Sequence, residues 1–300
     1  MAETSRPRAF WRKYLVLPLE AVLLHLAYHL FAALSFDLAS AIGGWIARTI
    51  GPHLKVTKTA VRNLKRAFPE KSDDEIAHIV RGVWDNLGRV ATEFPQSGRL
   101  RIHEDARFTV AGVEHIDRLR DDGRPGIFFT GHLGNWELAT LAITQRGVRG
   151  GLVYRAANHP AAERLVRRGR REIGGELIAK GGAGARHMIK LLSRGGHLGM
   201  AADQKLNDGI PVPFFGREAM TAPALAELAL KFRCPVVPMR VERVQDTRFL
   251  ITAYPPLDMP DSGDRQADVK AGMALVNRTI EGWIRERPEQ WLWLHRRWPD

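Results

Sequence analysis

From about residue 107 onward, the hydrophobic positions of this chain alternate between two rhythms. Short apolar runs, FTVAG, PGIFFTG, GLVYR, ELIA and HLGMAAD, read as strands. Between them come longer segments with apolar residues at helical spacing: NWELATLAITQRG, HPAAERLVRRGRREIG and AGARHMIKLLSRG. Further on, TAPALAELALKF predicts a helix, PVVPMRVERV and RFLITAY predict strands, and DVKAGMALVNRTIEGWIRER predicts a last long helix. This alternation predicts an α/β fold, with a central, mostly parallel or mixed β-sheet flanked by helices. A helical lead-in over residues 56–100 precedes it, with Ser72 and Glu75 spaced as a capping box. DMPDSGDRQ reads as a surface excursion, and GIPVPFFG (209–216) as an apolar loop able to line a greasy ligand.

The pattern before residue 51 is different. Residues 14–47 are nearly all apolar, with Glu20 and Asp37 the only acidic or basic charges. The length suffices to span a bilayer, but Pro18, Glu20, His25 and His29 interrupt it. Three readings stay open: a span, an interfacial anchor, or a buried helical hairpin. The basic arm ahead of it, with Arg6, Arg8, Arg12 and Lys13, would set a cytoplasmic N-terminus for a span. The chain therefore divides into a membrane-associating segment, 1–50, and an α/β domain, 51–300.

Charge adds a partner class. A formal net charge of +12 calls for something acidic: nucleic acid, an anionic membrane or an acidic protein. Trp291, Trp293 and Trp298 lie in an apolar terminal segment rather than along a basic stripe, which argues against nucleic acid. The single Cys234 excludes a disulfide framework and a cysteine zinc site, and its setting, KFRCPVVPM, is that of a core residue.

Chemistry concentrates in GHLGNWELAT (131–140), directly after the apolar run GIFF. Five residues on a helix would separate His132 and Glu137 by about 140°. Gly131 and Gly134 predict a turn instead, with Asn135 as N-cap and Glu137 in the first helical turn. Folded back, Glu137 could hold one imidazole nitrogen of His132 and leave the other as a general base. The spacing alone is weak, since 11 histidines and 33 acidic residues give roughly one chance match. His295 and Asp300 form a second match, but only His132 follows a strand and a glycine turn.

Other strand ends carry Arg155, Asp203 and Gln204, and the helix after GLVYR holds Arg164, Arg167, Arg168, Arg170 and Arg171. There is no G-x-S-x-G elbow, no P-loop and no G-x-G-x-x-G after a strand. A base without an internal nucleophile implies that the substrate brings one, such as a hydroxyl. Two competing readings are a non-catalytic basic binding protein and a metallohydrolase built from His132, Glu137, Asp203 and His197.

GHLGNWEL, the YR of GLVYRAANHP, ADQ, VPFFG and the terminal PEQWLWLHRRW, in this order, resemble the bacterial lipid A biosynthesis late acyltransferases. The resemblance runs from NLKRAFPE nearly to the last residue. It implies a glycerolipid-acyltransferase-like fold and cofactor-free transfer of a fatty acyl chain from acyl carrier protein to a lipid A precursor hydroxyl. The reaction would take place on the cytoplasmic face of the inner membrane. Related enzymes acylate glycerophospholipids or glycolipids, so the acceptor stays open. Carried over, His132 is the base and Glu137 its partner. The family arginine falls on Arg171, with Arg168 or Arg170 as alternative registers. Asp203 and Gln204 come from ADQ, Arg155 from YR, and Arg296 and Arg297 from HRR, as phosphate contacts or anchors. The implied partners are an acidic acyl carrier protein, an anionic lipid and the membrane, with no metal.

Overall fold

The computed structural model describes residue 14 and residues 16–299. The basic arm and Asp300 lie outside the described residues, so neither the arm's charges nor the His295–Asp300 match is placed. Four helices lead in: α1 (Leu17–Ala33), α2 (Phe36–Ile50), α3 (Thr57–Ala67) and α4 (Asp73–Glu93). Ser35 caps α2, its hydroxyl accepting from the Leu38 N–H at 3.3 Å, and splits the long apolar segment in two. Neither half is buried as a hairpin: Leu19, Val22, Leu23, Leu26, Leu30, Trp45 and Ile50 are exposed. Among the described residues, no helix is long and apolar enough to cross a membrane. At the start of α4 the capping box forms: the Ser72 N–H donates to Glu75 Oε2 at 2.8 Å and the Glu75 N–H to Ser72 Oγ at 3.3 Å.

The α/β layer follows as β1 (Phe108–Ala111), α5 (Val113–Asp121), β2 (Gly126–Thr130), α6 (Glu137–Thr144), β3 (Gly150–Tyr154), α7 (Pro160–Ile173), β4 (Glu176–Ala179), α8 (Gly182–Leu192) and β5 (His197–Ala201). A hairpin, β6 (Lys205–Phe214) and β7 (Arg217–Thr221), precedes α9 (Ala224–Phe232), β8 (Val236–Gln245), β9 (Arg248–Ala253) and α10 (Arg265–Glu286). Seven strands pair in the order β1-β9-β8-β2-β5-β3-β4, parallel throughout except β8 against β9. Period-2 alternation sends Ile127, Phe129 and Leu198 to one face, packed with Met273, Ile280 and Trp283 of α10. Phe128, Val237 and Met239 face the other way, toward Leu138 and Ala142 of α6.

The apolar stretch 209–216 is not a ligand loop. It is most of β6, paired antiparallel with β7, and Pro211 and Pro213 lie where such a two-stranded ribbon tolerates a missing N–H. Its Phe214 ring packs on Trp291 and Trp298, with centroids 5.7 Å away in each case.

Candidate active site

The sheet register brings two distant residues together. Thr130 of β2 pairs with Ala201 of β5, so His132 and Asp203 each stand two residues past the ends of adjacent strands. His132 Nδ1 lies 2.7 Å from Asp203 Oδ1, and the His132 backbone N–H donates to Oδ2 at 2.7 Å. The Trp291 indole N–H donates to the same Oδ2 at 2.7 Å. Asp203 is fully buried, which alone would raise its carboxyl pKa. The electrostatic pull and hydrogen bonds of the His132 ring and backbone, with help from His295, hold it well below the usual carboxylate range. An ionised Asp203 makes Nδ1 the protonated nitrogen and leaves Nε2 with a free lone pair.

The turn that carries His132 is clamped from behind. Gly134 has φ +53°, and a Cβ there would come within 2.4 Å of the Val241 carbonyl oxygen. The Gly134 N–H donates to the Gln290 carbonyl at 3.1 Å, and the Leu292 N–H to the His132 carbonyl at 3.2 Å. The Asn135 amide does not cap α6. It is buried, and donates to Glu93 Oε2 of α4 at 2.7 Å. Glu93 also takes both terminal nitrogens of Arg243, at 2.7 and 3.0 Å, and the Ser40 hydroxyl at 2.6 Å.

Glu137 opens α6 but does not reach the imidazole. Its Oε1 accepts from Arg170 Nη2 at 2.6 Å and its Oε2 from Arg170 Nε at 3.2 Å, and the Trp136 indole donates to Oε1 at 3.1 Å. The expected His132–Glu137 contact fails because the strand-end register supplies a closer, buried carboxylate. Glu137 is linked to His132 through Trp136, whose ring stands edge-on to the imidazole at 5.0 Å. Among the arginines of its helix, Arg170 is the one that is not exposed. Desolvation works against its charge, yet Glu137 keeps its pKa raised. Arg171 is exposed and Arg168 lies 3.6 Å from Glu172 on the outer face of α7, so of the three registers it is Arg170 that meets Glu137.

A cavity of about 300 Å³ opens at His132, between α6 and strands β2, β3 and β5. Phe128, Ile143, Leu152 and Met239 give it apolar walls, and Arg155, Lys180, Arg170 and Gln204 stand around it. The Gln204 amide nitrogen is 3.4 Å from His132 Nε2. Desolvation lowers the Lys180 pKa, assisted by Arg155 and opposed by Asp203. No serine or cysteine lines the cavity. Arg297 is elsewhere: fully buried, it donates to the Met220 carbonyl at 3.0 Å and the Thr221 hydroxyl at 2.8 Å, and burial brings its pKa down to about 10. Arg296 is exposed. His197 lies at the opposite end of β5 from Asp203, its Nε2 2.7 Å from the Leu119 carbonyl. The four-ligand metal set therefore does not converge. Among the described residues, no group of three or more His, Cys, Asp or Glu side chains could hold a metal ion.

Sequence reading missed Trp291, Lys180 and the Glu93–Arg243 support. Lys180 immediately follows β4, so the strand-end rule that singled out Arg155 would have found it too. Trp291 and Glu93 carry no local signal, because each meets the site only through the fold.

A histidine oriented by a buried carboxylate, its second nitrogen met by the Gln204 amide at the mouth of an apolar cavity flanked by cations, is an arrangement with the chemistry to act as a general base. The chain matches the model of the bacterial lipid A biosynthesis acyltransferase family over residues 10–300, and it belongs to that family. It is 23% identical to a lipid A biosynthesis acyltransferase of Haemophilus influenzae, over 88% of this chain and 83% of the relative. It is 28% identical to the lipid A biosynthesis lauroyltransferase of Escherichia coli K12, over 80% and 78%. To that organism's lipid A biosynthesis palmitoleoyltransferase it is 25% identical, over 89% and 87%. The protein is thus an acyltransferase of lipid A biosynthesis.

Proposed function

We propose that this acyltransferase moves a fatty acyl chain from an acyl carrier protein thioester to a hydroxyl of a lipid A precursor, with His132 as general base. The observation that carries this reading is the His132–Asp203 pair, with Nε2 facing the cavity. The acceptor hydroxyl displaces the Gln204 amide from Nε2 and gives up its proton there as its oxygen attacks the thioester carbonyl. The tetrahedral oxyanion then collapses, the C–S bond breaks, and His132 returns the proton to the leaving thiolate. Asp203 keeps the tautomer and stabilises the imidazolium. Gln204, Lys180 and Arg155, which line the cavity, supply donors that can stabilise the developing oxyanion. Glu137, held by Arg170, fixes Trp136 against the ring.

Charge and exposed apolar surface support this donor and a membrane seat. Acyl carrier proteins are acidic and lipid A precursors carry phosphates, and both suit a chain of net charge +12. The exposed apolar faces of α1 and α2 suit an interfacial seat on the cytoplasmic face of the inner membrane.

The test supplies purified protein with labelled acyl carrier protein thioester and a Kdo-bearing, tetra-acylated lipid A precursor. Transfer by wild type, falling roughly 10²–10⁴-fold in His132→Ala, is the expected result. Transfer to glycerophospholipids alone would change the acceptor. A fully active His132→Ala would end the assignment of the base.

A further inference from the structure

We infer that Gly199, in the middle of β5, keeps open a passage for the acyl tail, and that the side chain at this position limits the longest chain accepted. The inference rests on the acyl-transfer reading above and adds its length specificity. The cavity at His132 shares Phe128, Thr140, Ile143, Leu152 and Gly199 with a second, narrow, nearly all-apolar pocket. That pocket continues beneath α6 to the level of Gly150 and His197, at the far end of the same strands.

Gly199 is the shared position where a missing side chain matters most. Glycine weakens the interior of a strand and marks a place where something approaches closely. Two ordinary reasons for it are absent here. Its φ is not positive, and the nearest atom to a Cβ built on it is Leu152 Cδ1 at 3.7 Å, ordinary van der Waals contact. Gly151 on the neighbouring strand differs, because a Cβ there would meet Ile178 Cδ1 at 2.5 Å. No neighbour in the protein demands glycine at 199, so what it preserves is open space between the two pockets.

The dimensions agree. The path from Ala201 to His197 along β5 is four residue steps, roughly 13 Å. That is close to half of a bilayer's hydrocarbon thickness, about 15 Å, the depth that membrane acyl tails fill. With the thioester carbonyl at His132, the tail enters between Leu152 and Phe128, passes Gly199 and ends near Gly150.

The test is equilibrium binding of non-hydrolysable S-octyl, S-dodecyl and S-hexadecyl pantetheine thioethers to the full chain, beside Gly199→Ala and Gly199→Leu. A binding readout keeps this inference separate from catalysis, so wild type that binds but does not transfer would fail the function and not the passage. Wild type should gain at least roughly tenfold in affinity from octyl to dodecyl as more methylenes are buried. Gly199→Leu should lose that gain while binding the octyl compound within about threefold of wild type, and Gly199→Ala should fall between. If Gly199→Leu does not fold, Gly199→Ala decides, since a methyl at 3.7 Å fits. An undiminished gain in every folded variant, or no gain with length in wild type, would overturn the inference.

Discussion

The two sides of the His132 turn are built to opposite rules. Behind it, Glu93, Arg243, Asn135 and Asn86 are buried and joined by charge-assisted hydrogen bonds. In front, His132 is only partly buried, its Nε2 faces a lone amide at 3.4 Å, and Arg155 and Lys180 stand at the cavity without a carboxylate within salt-bridge distance among the described residues. A buried, hydrogen-bonded rear fixes the backbone. That rigidity lets the front keep reactive groups unmet until a substrate supplies their partners. Removing a group from the front should therefore cost rate, and removing one from the rear should cost stability.

The largest effect is expected at the front. Asp203→Asn keeps the shape but presents an amide N–H to Nδ1, which forces the proton onto Nε2. Acyl transfer should fall roughly 10²–10⁴-fold, with most of the melting temperature kept. A rate near wild type would mean that Asp203 does not orient the base. Next comes the rear: Glu93→Ala leaves Arg243 buried without its counter-charge and should lower unfolding free energy by about 3–5 kcal/mol in chemical denaturation. An unchanged midpoint would remove the distinction between the two sides. Arg170→Met lies between them. It strips Glu137 of two hydrogen bonds and should cost about 1–3 kcal/mol, whereas Arg171→Met should stay within about 0.5 kcal/mol. Equal losses would contradict the inward register of Arg170.

The smallest effect concerns His295, whose Nε2 is buried without a partner. Burial, against the pull of Asp203, lowers its pKa below the ordinary 6.5. The unfolded chain thus takes up a proton near pH 6.5 that the folded chain refuses. Its share of stability is complete above that pH and declines as pH falls through it, with a slope of at most about 1.4 kcal/mol per pH unit. Thermal melts of His295→Gln should show a shallower fall between pH 7 and 5 than wild type, and identical slopes would assign the acid sensitivity elsewhere.

The α/β alternation, nearly every strand and the strand-end location of His132, Arg155 and Asp203 could be read from hydrophobic rhythm, because each is a local property. The partner of His132 could not. Glu137 was the nearer carboxylate in sequence, but parallel pairing of β2 with β5 made Asp203 the nearer one in space. Prolines hid β6, since a two-stranded ribbon accepts residues that a central strand refuses. RRGRRE offered several registers, and only the pitch of α7 against the sheet selects Arg170. Trp291 lies outside any short-range pattern that includes Asp203.

The pairing of Leu133 with Trp291, which joins the base-bearing turn to a segment far along the chain, also sets an order of events. During synthesis the strands and α6 leave the ribosome long before residues 290–292 do. Until that segment arrives, the turn lacks the Gln290 carbonyl and the Leu292 N–H, and Asp203 lacks its indole donor. The surroundings of His132 are therefore completed last, so a nascent or interrupted chain carries the His132 turn without the contacts that hold it.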